Sequence, residues 1–582
     1  MSLARSRALD KPHSTKKATT KNYIKSSIVG LVFWYLISNV PLVLAQVGLY
    51  DVFEHRVTNS KIYSNPFDFN VVELQAVFIS PSERRVRFFG FYDGDGNGGQ
   101  TGNVWKLRFM PVEIGKWKYT YIWTDGTPGG SGSFFVTDTG LQGPLKVASD
   151  SSWYFENSRG QPFHFRGYDL HNFLYWMPTA EMRNELGNFK SALQDAVNKG
   201  YNFYMWDLMA DRLDTSEQYS RDVADSGWLN TTDTKRFDIV VWCAYEDALR
   251  MAKDNKAYVI PFTGMIWQGA QYNFTDFKVF LRYFVARFAP FHNFLGWTPT
   301  WETTDIWSAS EANQIMQYVY DIDPWKRPLT VHDCSNSQYS GWLSFSMRQG
   351  ARRGLFAGNS RRVGAVQGDC DGTGGIGDPF VNLPIIGSED LWETRPDQAK
   401  IYDPTGWMMP RNADETRRAA WGIMMAGVMP LYSEWHAWAP WPGGNGQGEP
   451  EVRRMFDFFY SKTRYRQYRQ LNHLVLSAAR QILIKFSKQF NLRRLNRFVS
   501  SSAGQIASGI PGQEYLVYDQ DGGSIAINLT GASSSTTFSV LWYDPKTGAE
   551  QSGGRINGGV SRTLISPFFG DTVLLLRRET AN

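Results

Sequence analysis

Two glutamates, each at the end of an apolar run, have the residue type and spacing that suit acid–base catalysis. Glu302 follows the run FLGWTPTW, and Glu389 follows LPIIGS, 87 residues further along the chain. Cleavage of a glycosidic bond needs one carboxylic acid to protonate the leaving oxygen and a second carboxylate to attack the sugar or direct water to it. The pair therefore predicts a glycosidase in which Glu302 is the general acid/base and Glu389 is the nucleophile.

The surroundings of the two glutamates are rich in tryptophan, with Trp301 and Trp307 near the first and Trp392 near the second. A partly apolar environment raises the pKa of a carboxylic acid, which would let Glu302 hold a proton. Glu393 and Glu434 lie near the same predicted strand ends and are the alternative nucleophiles.

Other polar and aromatic residues at predicted strand ends are candidates for substrate binding. His332 would orient Glu302, bind sugar hydroxyls or simply end its strand. Trp206 and Trp435 would either stack on sugar rings or belong to the core. Asp207 and Gln367 are either hydroxyl ligands or structural residues. The full predicted set is Asp169, His171, Trp206, Asp207, Trp301, His332, Gln367, Trp392, Glu434 and Trp435.

The elements that would position these residues alternate between short apolar strands and helical stretches from about residue 149. Apolar residues recur at helical spacing over 186–199, 241–252, 277–288, 312–322 and 415–426, and eight strands lie among them. The sixth of these strands is assigned to a Gly-rich stretch containing GAVQGD. The pattern predicts a central (β/α)8 barrel over 146–460, in which catalytic residues lie at the carboxyl ends of the strands. A doubly wound sheet is the alternative, but no Gly-rich phosphate turn follows the first strand.

Both flanks of the predicted barrel have the period of two that is typical of strands. Residues 46–145 and 501–582 each predict a β-sandwich, and 461–500 predicts a basic helical connector or insertion between barrel and C-terminal domain. The segment YDGDGNGG resembles a calcium loop, but Val104 stands where the final glutamate is needed, which favours a solvated turn. The cysteines form no C-x-x-C pair, so we expect neither a metal site nor a cofactor.

The net charge of +5 is unevenly distributed. Residues 1–45 carry seven Lys/Arg and one Asp, and residues 451–500 carry twelve Lys/Arg and two acids, which leaves a net charge of −11 on the remainder. An acidic body argues against nucleic acid as the main partner. The basic stretch 453–497 is either a solvated helix face or a surface that docks on an anionic membrane.

The N-terminal segment predicts export. A basic stretch precedes the apolar run 28–44, and the small residue Ala45 follows this run directly before Gln46. Residues 1–45 are therefore expected to be a signal peptide or a signal anchor, and the body to be secreted or anchored by this segment in a membrane with its bulk outside. Three glycosylation sequons, at Asn230, Asn273 and Asn528, are compatible with that location.

Several long motifs resemble one family. The opening GLYDVFEHRV and the segment VWKLRFMPVEIGKWKYTY resemble the β domain that precedes apiosidase-like glycoside hydrolase barrels. WTPTWETTDIW and LPIIGSED resemble the segments of that family that carry the two catalytic carboxylates, and EYLVYDQDGGSIAINLTG resembles its C-terminal "putative collagen-binding" β domain. The resemblance implies retaining hydrolysis on a barrel of the clan A type, with Glu302 and Glu389 in the two catalytic roles.

A poly- or oligosaccharide is the partner that these observations predict. The alternative is a non-catalytic surface protein that binds glycan or matrix and uses the barrel as a scaffold. The two flanking β domains favour this alternative, whereas the paired carboxylates favour the enzyme.

Overall fold

The computed structural model describes residues 45–150, 153–170, 187–212, 235–267, 274–298, 307–332, 342–348, 383–393, 412–425, 427–434, 446–470 and 505–579. Residues 47–582 form one compact unit. Within it, antiparallel sheets come first along the chain, a parallel sheet with helices follows, and a second group of antiparallel sheets ends the chain.

Residues 45–137 form two antiparallel sheets that face each other. Their strands are β1 (Ala45–Gly48), β2 (Phe53–Thr58), β3 (Leu74–Ile79), β4 (Arg85–Phe89), β5 (Phe91–Tyr92), β6 (Val104–Phe109), β7 (Gly115–Trp123) and β8 (Gly130–Thr137). One sheet has the order β1-β8-β7-β3-β4 and the other β2-β6-β5. Aromatic rings stack between them, with ring centroids 4.0 Å apart for Phe53 and Phe134 and for Phe78 and Phe109. The predicted alternation is confirmed in β7, where Trp117 is buried and its neighbours Lys116 and Lys118 are exposed.

The central part of the chain forms a parallel sheet. A two-stranded antiparallel pair, β9 (Leu145–Val147) and β10 (Phe155–Asn157), precedes it. The parallel strands are β11 (Gly167–Asp169), β12 (Phe203–Arg212), β13 (Tyr258–Trp267), β14 (Ser346–Arg348), β15 (Ile385–Glu393) and β16 (Met429–Glu434), in the order β13-β12-β11-β16-β15-β14. Three isolated parallel bridges continue the pairing beyond this sheet: Val259 with Phe294, Trp297 with Leu329, and His332 with Met347.

The described residues include six α-helices, of which the first five lie between these strands where the apolar periodicity predicts them and the sixth follows β16. They are α1 (Gly187–Asn198), α2 (Ile239–Asp254), α3 (Phe274–Phe288), α4 (Ala309–Ile322), α5 (Ala413–Met425) and α6 (Glu449–Lys462). Their starts follow local chemistry: the side chain of Asp238 accepts the N–H of Val240 at the start of α2. At the start of α4, Ser308 and Glu311 form a reciprocal capping box.

The sequence predicts a strand around Gln367 as the neighbour of β15. That place in the sheet is taken by β14, because Ser346, Met347 and Arg348 pair in parallel with residues 385–387 and Met347 also bridges to His332. The stretch GAVQGD lies outside the described residues. The sequence pattern misses β14 because this strand is only three residues long and its single apolar residue, Met347, cannot show a periodic run.

The C-terminal strands form a six-stranded sheet and a two-stranded sheet. They are β17 (Arg469–Gln470), β18 (Gln505–Ile510), β19 (Glu514–Asp519), β20 (Ser524–Asn528), β21 (Thr537–Tyr543), β22 (Glu550–Asn557), β23 (Ser561–Ile565) and β24 (Thr572–Arg578). The larger sheet has the order β17-β18-β19-β24-β21-β22, and β20 pairs with β23. Buried residues of both sheets, including Val517, Ile525 and Phe538, share one core cluster.

Beyond Lys462, where α6 ends, the described part of the predicted basic connector is not an α-helix. After α6 the chain makes a short 3₁₀ turn, Tyr465–Gln467, and then enters the C-terminal sheet as β17. The cations here are used within the molecule: Lys462 lies 2.9 Å from Glu550, Arg464 lies 3.5 Å from Glu514, and Arg466 pairs with Asp150. These contacts argue against a free membrane-binding face in residues 453–470, while 471–500 lie outside the described residues.

A buried ionic network joins the first antiparallel sheets to the helices of the central part. Arg108 and Arg287 both bind the carboxylate of Glu246, and Arg287 also binds Asp93 at 2.9 Å. All four side chains are almost fully buried, so each charge depends on its partners. In the part of the chain that the structure describes, no helix has the length and apolar character needed to cross a membrane.

Candidate functional site

The carboxyl ends of the parallel strands bring several predicted residues to one edge of the sheet. Asp169 ends β11 and pairs with Met205 of β12, while Glu434 ends β16 and pairs with Glu393 at the end of β15. His332 is held in the same parallel arrangement by its bridge to Met347. Asp169 and His332 are both buried. Because parallel strands run in one direction, these residues share an edge, as the barrel prediction requires.

Several predicted residues lie beyond what the structure describes. His171, Trp301, Glu302, Gln367 and Trp435 are outside the described residues. For Asp207, Glu389, Trp392 and Glu434 the structure describes only the backbone, which lies in β12, β15 or β16. The catalytic roles of Glu302 and Glu389 therefore remain predictions.

A buried hydrogen bond between two side chains lies beside Glu389. The Nε2 atom of His332 lies 3.0 Å from Oγ of Ser388, and both side chains are buried. Ser388 directly precedes Glu389, so His332 is tied to the predicted nucleophile through one peptide bond. Sequence reasoning identified His332 but missed Ser388, whose only signal was its position before the glutamate.

The register of β15 changes at the same place. Gly387 pairs with Pro430 and the next pair is Leu391 with Tyr432, so β15 advances four residues while β16 advances two. The irregular stretch contains Ser388, Glu389 and Asp390. Bulges re-aim side chains and are common beside active sites. The bulge separates Glu389 from the regular pairing of its strand.

The alternative nucleophile Glu393 has a structural environment. Its two carboxylate oxygens lie 2.9 and 3.0 Å from the backbone N–H of Gly448, at the start of α6, and it accepts the hydroxyl of Tyr432 at 2.8 Å. Burial raises the pKa of Glu393, against the effect of the Gly448 N–H and the Tyr432 hydroxyl. A carboxylate at a helix N-terminus satisfies free N–H groups and interacts favourably with the helix dipole. These contacts explain why Glu393 is buried without assigning it a role in catalysis.

Trp206 does not offer a stacking surface in this structure. Its side chain is 1% exposed and meets Phe189 of α1 edge to face, with ring centroids 5.3 Å apart. The prediction that Trp206 stacks on sugar is therefore corrected, and the core alternative holds. The reason is the strand's alternation, which turns Trp206 and Tyr204 together toward one side, with their rings stacked 6.5 Å apart.

The calcium-like segment forms the turn that the sequence favours. The Oδ1 atom of Asp95 accepts the backbone N–H groups of Asn97 and Gly99 at 2.7 and 2.9 Å. Among the described residues, no group of three or more His, Cys, Asp or Glu side chains is placed to hold a metal ion.

Two family models match the ends of the chain. Residues 46–123 match a family described as "Domain of unknown function (DUF5060)", and residues 505–577 match one described as "Putative collagen-binding domain of a collagenase". No curated protein matches the chain.

Solved structures of glycoside hydrolases resemble the whole arrangement. A protein described as a "putative glycoside hydrolase" from Bacteroides vulgatus ATCC 8482 is 14% identical, with a TM-score of 0.68 over 92% of this chain and 100% of that one. A structure described as a glycoside hydrolase is 15% identical, with a TM-score of 0.55 over 76% of this chain and 98% of its own. A glycoside hydrolase family 5 protein, also from Bacteroides vulgatus ATCC 8482, is 16% identical, with a TM-score of 0.54 over 75% and 94%. The chain thus has a multidomain, β-rich fold that is shared with glycoside hydrolases.

Proposed function

We propose that the protein is a retaining glycoside hydrolase of an extracellular poly- or oligosaccharide, with Glu302 as general acid/base and Glu389 as nucleophile. The observation that carries the proposal is the irregular end of β15, where Glu389 follows a serine bound to His332, within a fold shared with glycoside hydrolases.

The parallel pairings support a closed barrel. The six strands of the sheet and the segments bridged at Phe294–Trp297 and Leu329–His332 make eight parallel segments, and their pairings run from β13 through both segments back to β14. In this arrangement the segment leading to Glu302 and the end of β15 belong to one closed ring of parallel segments. The 329–332 segment and β14 lie between them. Carboxylates about 5–5.5 Å apart across the mouth of such a ring would give retention.

In the proposed reaction, Glu389 attacks the anomeric carbon while Glu302 protonates the leaving oxygen. Water then cleaves the glycosyl–enzyme ester with Glu302 as base. The bond from His332 to Ser388 would hold the backbone of the nucleophile in place. The substrate class is inferred from the fold and the tryptophan-rich segments, and the resemblance to apiosidase-like hydrolases belongs to the same proposal.

The decisive experiment is hydrolysis by the full chain on a panel of plant, fungal and bacterial polysaccharides. Glu389→Gln and Glu302→Gln should each reduce hydrolysis by about a thousandfold or more. Glu550→Gln, in an exposed ion pair with Lys462, is the matched control and should keep the activity. NMR of the first products should show retained anomeric configuration; inverted product, or full activity in both variants, would refute the mechanism.

A binding role for the C-terminal strands is the second candidate. The match of residues 505–577 to the collagen-binding family favours it. On this alternative the wild-type chain would bind glycan or matrix without hydrolysing any member of the panel. We further propose β-sandwiches on both flanks of the barrel, and export directed by residues 1–45; N-terminal sequencing of secreted protein tests the latter.

A further inference from the structure

The outer face of the five-stranded sheet in the first part of the chain carries a compact group of cations. Arg85 and Arg87 lie on β4, Lys116 and Lys118 lie on β7, and all four are exposed. We call the side of this sheet that carries these residues the outer face. The opposite side of the sheet is covered by the second sheet, as the stacking of Phe53 on Phe134 shows.

Cross-strand register places these cations around a shared apolar centre. Ile79 of β3 pairs with Arg85 of β4 on one side and with Lys118 of β7 on the other. In the same way, Val77 of β3 pairs with Arg87 of β4 and with Thr120 of β7. Neighbouring strands are about 5 Å apart and alternate residues on a strand about 7 Å apart, so the positive charges surround β3 within a small area.

The same face exposes apolar side chains among the charges. Phe135 pairs with Lys116 and is 43% exposed, and Ile122, two residues after Thr120, is 58% exposed. Ser131 and Ser133 continue the two rows of residues onto β8. A face that mixes cations, hydroxyls and apolar groups is suited to sugar rings that carry acidic groups, since ring C–H faces pack on apolar side chains and anions pair with Lys and Arg.

The cations on this face have few acidic partners. Among the described residues, no carboxylate lies within 4 Å of Arg85, Arg87 or Lys116, while Lys118 lies 3.6 Å from the exposed Glu83. Outside residues 1–45 and 451–500 the chain has a net charge of −11, so a group of unpaired cations on this part is a local departure from the acidic body. The charge complementarity points to an anionic ligand.

We propose that the outer face binds an acidic polysaccharide, that is, a polymer of sugars bearing carboxylate or sulfate groups. The choice of a polysaccharide over other polyanions rests on the proposed function, because a glycan-degrading enzyme gains effective substrate concentration from a second contact with the same polymer. An exposed sheet face suits an extended chain that contacts several cations at once.

The test is binding of the full chain to polygalacturonate (carboxylate) and dextran sulfate (sulfate), with neutral dextran as reference. It uses the Glu389→Gln background, so that no polymer is consumed. Arg85→Gln/Arg87→Gln should weaken binding to at least one of the acidic polymers about tenfold. Phe135→Ala should weaken the same binding without any change of charge.

Lys256→Gln/Lys326→Gln is the matched control, because it removes two exposed cations from the central part of the chain, outside both the outer face and the C-terminal strands. Equal weakening in this control, unchanged binding in the Arg85/Arg87 variant, or no binding by the parent chain would overturn the proposal. The proposal would also be overturned if the Arg85/Arg87 variant bound duplex DNA or phosphatidylserine vesicles more weakly but bound both acidic polysaccharides as the parent chain does. Circular dichroism confirms that each variant is folded. Hydrolysis is measured separately in the wild-type background, so failure of the catalytic proposal leaves the binding result interpretable.

Discussion

The imidazole of His332 and the hydroxyl of Ser388 are hydrogen bonded across β14, with 3.0 Å between Nε2 and Oγ. Both side chains are buried, and the bond links the segment before β14 to the irregular end of β15. Breaking a buried hydrogen bond costs free energy, because no solvent is there to replace it. The bond therefore restricts the backbone that follows Ser388. The residue that follows is Glu389.

Ser388→Ala should therefore lower kcat by about tenfold while KM changes little, because the nucleophile is less well positioned and substrate contacts are kept. The measurement is steady-state kinetics on the best substrate of the panel, together with the pH profile of kcat/KM. If the bond between Ser388 and His332 positions Glu389, the pH profile of kcat/KM in the variant should also be shifted from that of the wild type.

Ser344→Ala is the control for this prediction. Oγ of Ser344 accepts the N–H of Leu329 at 3.1 Å, so it also ties neighbouring segments of the sheet, but at the amino end of the 329–332 segment. It should lower stability and leave kcat unchanged. An equal loss of kcat in both serine variants would show that general loosening of the sheet, and not the position of Glu389, is responsible.

Glu393→Gln should lower stability and keep catalysis. The carboxylate accepts N–H from Gly448 and O–H from Tyr432, so its loss removes charge-assisted bonds at the start of α6. We expect a destabilisation of about 1–2 kcal/mol, measured by chemical denaturation, with hydrolysis by the folded variant close to wild type. If instead Glu393→Gln abolishes hydrolysis while the protein stays folded, Glu393 and not Glu389 is the nucleophile.

The sequence was most informative where many residues repeat one pattern. The helix predicted over 277–288 is observed as Phe274–Phe288, and the alternation Trp117, Tyr119 in β7 is observed as buried positions, because burial of one face imposes that period. The sequence pattern did not reveal β14, because its three residues are too few to carry a periodic signal. Composition also misled around 461–470, since the basic residues there pair with specific acids, such as Glu514, that lie distant in the sequence.

The candidate site shows the same division. That His332 belongs to the edge containing Glu389 followed from strand ends alone, because parallel strands end together. Alternation in β12 places Trp206 and Tyr204 on one side, but that this side is covered by Phe189 of α1 depends on tertiary packing. The bond from His332 to Ser388 likewise joins residues that are far apart in sequence.

Glu246→Gln should destabilise the protein strongly. Burial alone would raise the pKa of Glu246, but Arg108 and Arg287 hold it well below its usual range. Removing its charge leaves two buried guanidinium groups poorly compensated. We expect the free energy of unfolding to fall by about 3–5 kcal/mol, measured by urea denaturation followed by tryptophan fluorescence. Glu550→Gln, in an exposed pair with Lys462, should cost less than about 1 kcal/mol. A similar small cost in both variants would show that the network contributes little.

Asp519 should make the C-terminal strands less stable as pH rises. Burial raises the pKa of Asp519 from 3.8 to about 6, although Gln505 and the N–H groups of Asp521 and Gly522 bind its carboxylate. Below pH 3.8 the group is protonated in folded and unfolded chains alike. Between about pH 4 and 6 the unfolded chain releases the proton first, which lowers the free energy of the unfolded state relative to the folded state, so stability falls.

Asp519→Asn removes this titration. The stability difference between variant and wild type should move in favour of the variant by about 2–3 kcal/mol from pH 4 to pH 6.5. Thermal melting of both proteins across this range, followed by a probe in the C-terminal strands such as Trp542, measures that difference directly. A constant difference would mean that Asp519 titrates alike in the folded and unfolded chains, and that its burial behind Gln505 does not hold the proton.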